Sequence, residues 1–173
     1  GRLLALNSYE NRVYQVGVQD DRPVVAKFYR PGRWSDAAIL EEHAFLIELA
    51  ESELPVVPPM ALGQEKTLHA FEGFRFAVFP RQGGRIPELN DDESLQRVGR
   101  LIGRIHAVGA LQPFRERPRL DVATFGEEPV EFLLSHGFLP GDLENDYRSI
   151  TAEALEQVKA CFGRAGVTRT LRL

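Results

Sequence analysis

The pattern of apolar and polar residues changes character near residue 80. Before that point, short apolar runs separated by turn residues predict β-strands. The runs form two hairpin-like pairs: RVYQVGV (12–18) with RPVVAKFY (22–29), and TLHAF (67–71) with FRFAVF (74–79). After residue 80 the strand-like runs largely stop and helical spacing replaces them.

One helix is predicted between the two hairpins. Ser35 is a suitable N-cap, and DAAILEEHAFLIELAE (36–51) carries its apolar residues at helical spacing. The prolines of LPVVPP (54–59) end this helix, because proline cannot continue the hydrogen-bond ladder. The first half of the chain is therefore predicted to fold in the order β-β-α-β-β.

The second half is predicted to be mainly helical. DDESLQRVGRLIGRIHAVG (91–109) is acidic at its start and amphipathic, and its Gly-x-x-x-Gly spacing predicts close packing against another helix. Its apolar stripe consists of Leu95, Val98, Ile102 and Ile105. Weaker helical patterns follow at 127–136 and 151–163. The closing residues VTRTLRL (167–173) alternate as a strand does.

Composition limits the classes of protein that the chain can belong to. Its 173 residues suffice for one domain or two small lobes, and 43% hydrophobic with 27% charged residues is typical of a globular protein. The formal net charge of −4 and the lack of a long apolar run argue against nucleic acid and membrane as partners. A single cysteine, Cys161, excludes an intramolecular disulfide and is expected to be buried. We expect a cytoplasmic protein.

Lys27 is the most unusual residue of the first half. The chain has three lysines, Lys27, Lys66 and Lys159, and only Lys27 lies in the middle of an apolar strand. A buried ammonium group without a partner is costly, so Lys27 should face a carboxylate or a polar cleft. The alternative is a lysine on an edge strand that lies in open water.

Glu42 is the candidate partner of this lysine. On a helical wheel it lies within the apolar stripe of Ile39, Leu46 and Leu49, where a carboxylate also needs neutralisation. A strand lysine paired with a glutamate of the next helix is how protein kinases hold the α- and β-phosphates of ATP. The alternative for Glu42 is a solvated acid at the flank of the stripe.

The segment LNSYENRVYQV (6–16) provides a third, weaker signal. It contains no glycine-rich phosphate loop, but Asn and Ser form turns, and a serine hydroxyl can donate to a phosphate oxygen. An ordinary polar hairpin turn explains the same residues equally well.

Six segments in order resemble the aminoglycoside-phosphotransferase-like kinases. They are LNSYENRVYQV, VVAKFYRPGRW, ILEEHAFLIEL, PVVPP, GFRFAVFP followed by GGR, and VGRLIGRIHAVG. The resemblance is densest over 6–109 and looser over 110–165. It implies an α+β, protein-kinase-like fold: an antiparallel β N-lobe with one helix (1–79), a hinge (80–85) and the first part of a helical C-lobe (86–173).

The resemblance also implies the cofactors ATP and Mg²⁺ and a role for each matching residue. Lys27 would bind the phosphates, Glu42 would orient Lys27, and Val25 would pack on adenine. The implied ATP-binding set is Ser8, Tyr9, Glu10, Asn11, Val25, Lys27, Phe79, Pro80 and Arg81. His106 matches the histidine near the end of a helix in the family, although the helix dipole alone would favour a histidine there.

The chain departs from the family at the catalytic loop, H-G-D-x-x-x-x-N, and at the second metal-binding aspartate. HGFLPGDLEN (136–145) and TFGEE (124–128) lack the required aspartate. We therefore expect truncation before the catalytic loop, with the general base downstream of Leu173. This chain would then hold no catalytic residue and no metal ligand, and it would be inactive alone.

Three functions remain open from the sequence. The first is the N-terminal portion of an ATP-dependent serine/threonine protein kinase, an enzyme in its full-length form with a protein substrate. The second is a small-molecule kinase of the same fold, acting on a sugar, choline, homoserine or aminoglycoside. The third is a non-catalytic nucleotide-binding module that is complete as it stands. A monomer is favoured in each case.

Overall fold

The computed structural model describes residues 2–19 and 22–173. They form two compact units, one of residues up to Glu116 together with Leu171–Leu173, the other of Arg117–Thr170. In chain order the elements are β1 (Leu3–Leu6), β2 (Arg12–Val16), β3 (Val24–Phe28), α1 (Asp36–Glu51), β4 (His69–Phe71), β5 (Phe74–Pro80), α2 (Asp92–Gly109), a π-helical turn (Ala123–Glu127), α3 (Glu128–Ser135) and α4 (Glu144–Ala165). The first unit continues through residues 80–85, and the lobe boundary expected there stays a prediction.

The five strands form one antiparallel sheet in the order β1-β2-β3-β5-β4. Both predicted hairpins are confirmed, since β2 pairs with β3 and β4 pairs with β5. The turn residues Asp20 and Asp21 of the first hairpin lie outside the described residues. β3 is a central strand, and its Lys27 lies between Val13 of β2 and Ala77 of β5.

The strand β1 was not predicted. Its four residues, LLAL, do not alternate between apolar and polar, and all four are exposed. It is a strand because it pairs with β2, with Leu3 opposite Val16 and Leu6 opposite Val13. Pairing with a neighbour, rather than burial of one face, therefore determines this element.

Helix α1 is confirmed at the predicted bounds. The Ser35 side chain caps it by accepting a hydrogen bond from the Ala38 backbone N–H at 3.1 Å. Toward the sheet, the helix packs in a cluster of Tyr29, Ile39 and Ala77, with Trp34, Leu68 and Phe79 around them. Toward α2, it packs in a cluster of Phe45, Leu49 and Leu54, with Leu101, Ile105, Val108 and others around them. The helix thus joins the sheet to α2.

Helix α2 is also confirmed, but its predicted apolar stripe is partly wrong. Leu95 and Ile102 are about half exposed, whereas Leu101 and Val108 pack toward α1. The helical wheel located the buried side of α2 only approximately. The side that packs toward α1 is rotated from the predicted stripe and includes Leu101, Ile105 and Val108.

The prediction of close helix packing at Gly99 and Gly103 is wrong. Within the described part of the chain, a Cβ placed on either glycine would meet no heavy atom within 4 Å. The close approach occurs at Gly109 instead, where a Cβ would overlap the carbonyl oxygen of Arg172.

The second unit contains the two predicted helices as α3 and α4. Helix α4 starts seven residues before the predicted residue 151. The prediction missed these residues because they are mostly polar and exposed and show no apolar periodicity. Cys161 is exposed on α4, so the expectation of a buried thiol is wrong. The described residues include no helix with the length and apolarity that a membrane crossing requires.

Residues 167–173 do not form the predicted strand. Alternation alone does not make a strand, since a strand needs a partner with free backbone groups. Here the Arg172 backbone N–H donates instead to the carbonyl oxygen of Gly109 at the end of α2, at 3.1 Å.

Candidate functional site

The centre of the site is an ion pair between Lys27 and Glu42. Lys27 Nζ donates to Glu42 Oε1 at 2.8 Å, and the two side chains are only 22% and 27% exposed. The predicted pairing is therefore present. The alternative of an edge-strand lysine is wrong because β3 has a hydrogen-bonded strand on each side. The alternative of a purely solvated Glu42 is also wrong, because Glu42 forms this ion pair with Lys27.

The fold places Glu42 beside Lys27 through the core of the first unit. Ile39, one turn before Glu42 on α1, is fully buried against Tyr29 and Ala77. Ala77 lies directly opposite Lys27 in the sheet. Because Ile39 fixes the distance between α1 and this part of the sheet, the carboxylate one turn later reaches the ammonium group.

A buried polar chain next to this ion pair was missed from the sequence. The Lys27 ammonium lies 4.8 Å from the ring centroid of Tyr29, whose hydroxyl is 2.7 Å from His43 Nε2. His43 Nδ1 is in turn 2.9 Å from the Thr67 hydroxyl. The signal was available, since His43 follows Ile39 by four residues on the apolar side of the helix.

His43 is a neutral imidazole at physiological pH. Its side chain is 1% exposed, and burial lowers the pKa of His43 to about 4, with the Lys27 charge adding to this and the Glu42 charge opposing it. A neutral ring can accept one hydrogen bond and donate another, which matches its contacts with Tyr29 and Thr67. The hydrogen-bonded side chains of Tyr29, His43 and Thr67 thus add no charge beside the ion pair.

The loop between β1 and β2 holds the other residues expected near the phosphates. The Ser8 hydroxyl donates to the carbonyl oxygen of Asn11 at 2.5 Å, which closes the loop on itself. The Asn11 side-chain oxygen accepts from the Arg30 backbone N–H at 3.4 Å, just after β3. A phosphate contact by Ser8 would require the hydroxyl to leave Asn11.

Glu10 anchors the same loop to the segment before α1, and Tyr9 projects into solvent. Glu10 Oε1 accepts from the indole N–H of Trp34 at 2.8 Å and lies 3.5 Å from Arg33 Nε. Tyr9 is completely exposed. The loop is therefore held by its polar residues, while Tyr9 has room to change position.

The residues expected around adenine lie at one end of β3 and β5. Val25 and Phe79 are opposite each other in the sheet and share a face with Lys27. Pro80 pairs with Val24 and, as a proline, can offer only a carbonyl group. Arg81 is exposed just after the strand. The structure thus brings Val25 and Phe79 together on the Lys27 side.

Other groups that the sequence suggested do not assemble into a catalytic centre. His136 belongs to the second unit, where its Nδ1 lies 2.9 Å from the Ser135 hydroxyl and from the Phe132 carbonyl oxygen. His106 lies in the last turn of α2 and is half-buried. Among the described residues there is no group of three or more His, Cys, Asp or Glu side chains that could hold a metal ion.

An antiparallel sheet whose central lysine pairs with a glutamate of the adjoining helix defines a kinase-like class of protein. The profile of the phosphotransferase enzyme family (APH) matches residues 2–164. The chain belongs to this phosphotransferase enzyme family, which confirms the resemblance seen in the sequence.

Two curated relatives are similar over most of the chain. Stress response kinase A of Escherichia coli (strain K12) is 41% identical over 158 residues, which cover 91% of this chain and 48% of that protein. Serine/threonine protein kinase RdoA of Salmonella typhimurium (strain LT2) is 40% identical over 160 residues, covering 92% and 48%. The chain therefore spans about half the length of the curated relatives it matches.

A solved structure supports the fold. Amicoumacin kinase hAmiN, in complex with AMP-PNP, Ca²⁺ and Ami, superposes with a TM-score of 0.73 at 17% identity, covering 96% of this chain and 50% of that protein. At this identity the likeness concerns the fold alone. The expected α+β, protein-kinase-like architecture is confirmed.

Proposed function

We propose that the chain is the N-terminal portion of an ATP-dependent serine/threonine protein kinase that works with Mg²⁺ in the cytoplasm. The observation that carries the proposal is the half-buried ion pair of Lys27 and Glu42 on the central strand. The name and 40% identity of the serine/threonine kinase relative support the choice of acceptor. The complete protein would transfer the γ-phosphoryl group of ATP to a hydroxyl, mainly by positioning and electrostatic stabilisation.

Lys27 would hold the α- and β-phosphates. Its ammonium has three N–H groups, and the hydrogen bond to Glu42 uses one, so it can donate to phosphate oxygens without leaving Glu42. Glu42 keeps the ammonium in place, and the Tyr29 ring below it limits where the lysine side chain can move.

The remaining predicted residues would surround the rest of the nucleotide. Val25 would offer an apolar surface to adenine, while Phe79, Pro80 and Arg81 would offer backbone groups to its edge. The loop of Ser8, Tyr9, Glu10 and Asn11 would cover the phosphates. In keeping with the family resemblance, we propose that the Mg²⁺ ligands and the general base belong to the part of the relatives' length that this chain does not span.

The test is phosphoryl transfer by the full-length protein and its Lys27→Ala variant. Loss of the charge that neutralises the phosphates should lower transfer by about 100-fold or more. Lys66→Ala is the matched control, because Lys66 is an exposed lysine of the same unit, and it should leave the rate unchanged. Equal rates for Lys27→Ala and the wild type would overturn the proposal.

The acceptor is tested in the same assay. Protein fractions and small alcohols such as sugars, choline, homoserine and aminoglycosides are offered in parallel with labelled ATP. We expect label on protein serine or threonine. Label only on a small alcohol would replace the protein-kinase assignment with a small-molecule kinase, the second function that the family resemblance allows.

A further inference from the structure

Arg172 is a buried residue whose two terminal guanidinium nitrogens both have hydrogen-bond partners, whereas its buried Nε has none among the described residues. It is 5% exposed, and its guanidinium makes a two-pronged hydrogen bond to Glu48 of α1, from Nη1 to Oε2 at 2.7 Å and from Nη2 to Oε1 at 3.0 Å. Nη2 also donates to the carbonyl oxygen of Val108 in α2, at 3.1 Å. One side chain thus connects the segment Leu171–Leu173 to two helices of its unit.

Two aromatic rings and the backbone of Gly109 surround Arg172. The guanidinium lies 4.6 Å from the ring centroid of Phe45 and 5.9 Å from that of Phe114. Its backbone N–H donates to the carbonyl oxygen of Gly109, where only a glycine leaves room for the Arg172 carbonyl. Side chain and backbone are therefore both held, so the segment has one defined position in the unit.

The pairing of Arg172 with Glu48 is specific in chemistry as well as in shape. The Arg172 hydrogen bonds lower the pKa of Glu48, so this carboxylate is ionised at neutral pH. A planar guanidinium can use both carboxylate oxygens at once, whereas the single ammonium of a lysine cannot reproduce this geometry. A buried guanidinium left without its carboxylate would carry a large desolvation cost.

Helix α1 is held on the same side by two further contacts. The Glu41 carboxylate accepts hydrogen bonds from the backbone N–H groups of Arg115 and Glu116, at 2.6 and 3.0 Å. The Arg104 side chain of α2 donates to the carbonyl oxygens of Ser52 and Glu53 at the end of α1, at 3.0 and 3.1 Å. Glu42 is therefore carried by a helix that is anchored at several points.

We propose that Glu48 and Arg172 are a positioning pair for phosphoryl transfer. They fix α1, and through Glu42 the ammonium of Lys27, relative to the segment Leu171–Leu173. The inference rests on the proposed function, in which the general base and the Mg²⁺ ligands follow Leu173. The α- and β-phosphates held by Lys27 and the groups that act on the γ-phosphoryl are then aligned by one helix.

The test measures kcat and the KM for ATP in full-length Glu48→Gln and Arg172→Lys variants and in the double variant. Misalignment affects the transition state more than nucleotide binding, so kcat should fall about tenfold while KM changes less than about threefold. The double variant should lose no more than the worse single variant, because both changes break one interaction.

The matched control is Arg75→Gln. Arg75 forms an ion pair with Asp36 at the first residue of the same helix, whereas Glu48 lies in its last turn, so removal of Arg75 should leave kcat unchanged. An equal fall of kcat in Arg75→Gln, or an unchanged kcat in folded Glu48→Gln, would overturn the positioning role. So would a rise in KM with constant kcat.

Amide hydrogen exchange of residues 36–51 separates this inference from the proposed function. In Glu48→Gln, a change of similar size that retains one acceptor, exchange in α1 should be at least about fivefold faster than in the wild type. If the wild type transfers no phosphate, the proposed function fails. The exchange rates still decide whether the pair holds α1, since unchanged exchange would refute it.

Discussion

At the scale of single residues, the polar groups beside Lys27 differ in charge state for physical reasons. Lys27 and Glu42 neutralise each other across 2.8 Å, so both can stay charged while half-buried. Protonation of His43 is unfavourable because the residue is almost completely buried and lies near the Lys27 ammonium, so its pKa is lowered. The site therefore combines one ion pair with one neutral ring.

The neutral state of His43 predicts a pH dependence of stability. The folded-state pKa of about 4 is below the usual value of 6.5, so the unfolded chain binds more protons between these pH values and stability falls as the pH drops through this window. Between pH 7 and pH 5 this group alone should cost about 2 kcal/mol of unfolding free energy. Urea unfolding at the two pH values measures it.

The control for this prediction is His43→Gln, which keeps hydrogen-bonding groups but does not titrate. The wild type should lose about 2 kcal/mol more than His43→Gln over the same change in pH, since contributions from the carboxylates cancel in the comparison. Parallel pH profiles for the two proteins would contradict the neutral, buried state of His43.

At the scale of elements, α1 is the part of the fold on which the site depends. Its start is capped by Ser35, its middle packs on the sheet through Ile39, and its second half is bound to Arg172 through Glu48. The cap and the periodicity were predictable because both act within a few residues of the chain. The bond to Arg172 was not, because its partners lie 124 positions apart.

The N-cap of α1 should make a measurable contribution to the stability of the protein. Ser35→Ala removes the acceptor for the Ala38 N–H and should destabilise the protein by about 1 kcal/mol in chemical denaturation. Ser52→Ala is the matched control at the other end of the helix, where the backbone of Ser52, not its side chain, makes the capping bonds. A cost for Ser52→Ala as large as that for Ser35→Ala would show that the cap is not the cause.

At the scale of the whole molecule, the residues of the proposed nucleotide site lie together in one part of a chain whose sequence has no H-G-D-x-x-x-x-N motif. The ion pair, the residues proposed to contact adenine and the β1–β2 loop lie in the first compact unit, and the described residues hold no metal-ligand cluster. The curated relatives are about twice as long as the chain, which spans 48% of each.

Comparison of the 173-residue chain with the full-length protein tests this division of roles. We expect the chain to bind an ATP analogue, Lys27→Ala to weaken that binding, and the chain to transfer no phosphoryl group to any acceptor. Calorimetry with the analogue and an assay with labelled ATP measure the two properties. Transfer by the chain alone would contradict this prediction, because it would require a catalytic group within the 173 residues.

The local elements and the central ion pair could be predicted from the amino-acid sequence alone. The strands of both hairpins, helices α1 and α2, and the pairing of Lys27 with Glu42 follow from periodicity and from the cost of burying a single charge. The family assignment also came from motifs in the sequence.

The residues that cover each apolar side could be identified only from the folded structure. It exposed Leu95 and Ile102, moved the close approach from Gly99 to Gly109, and brought Arg172 onto Glu48. A periodic pattern reports that one side of an element avoids water, but it contains no information on the distant residue that lies there. That choice depends on shape and on hydrogen-bonding partners, which exist only once the chain has folded.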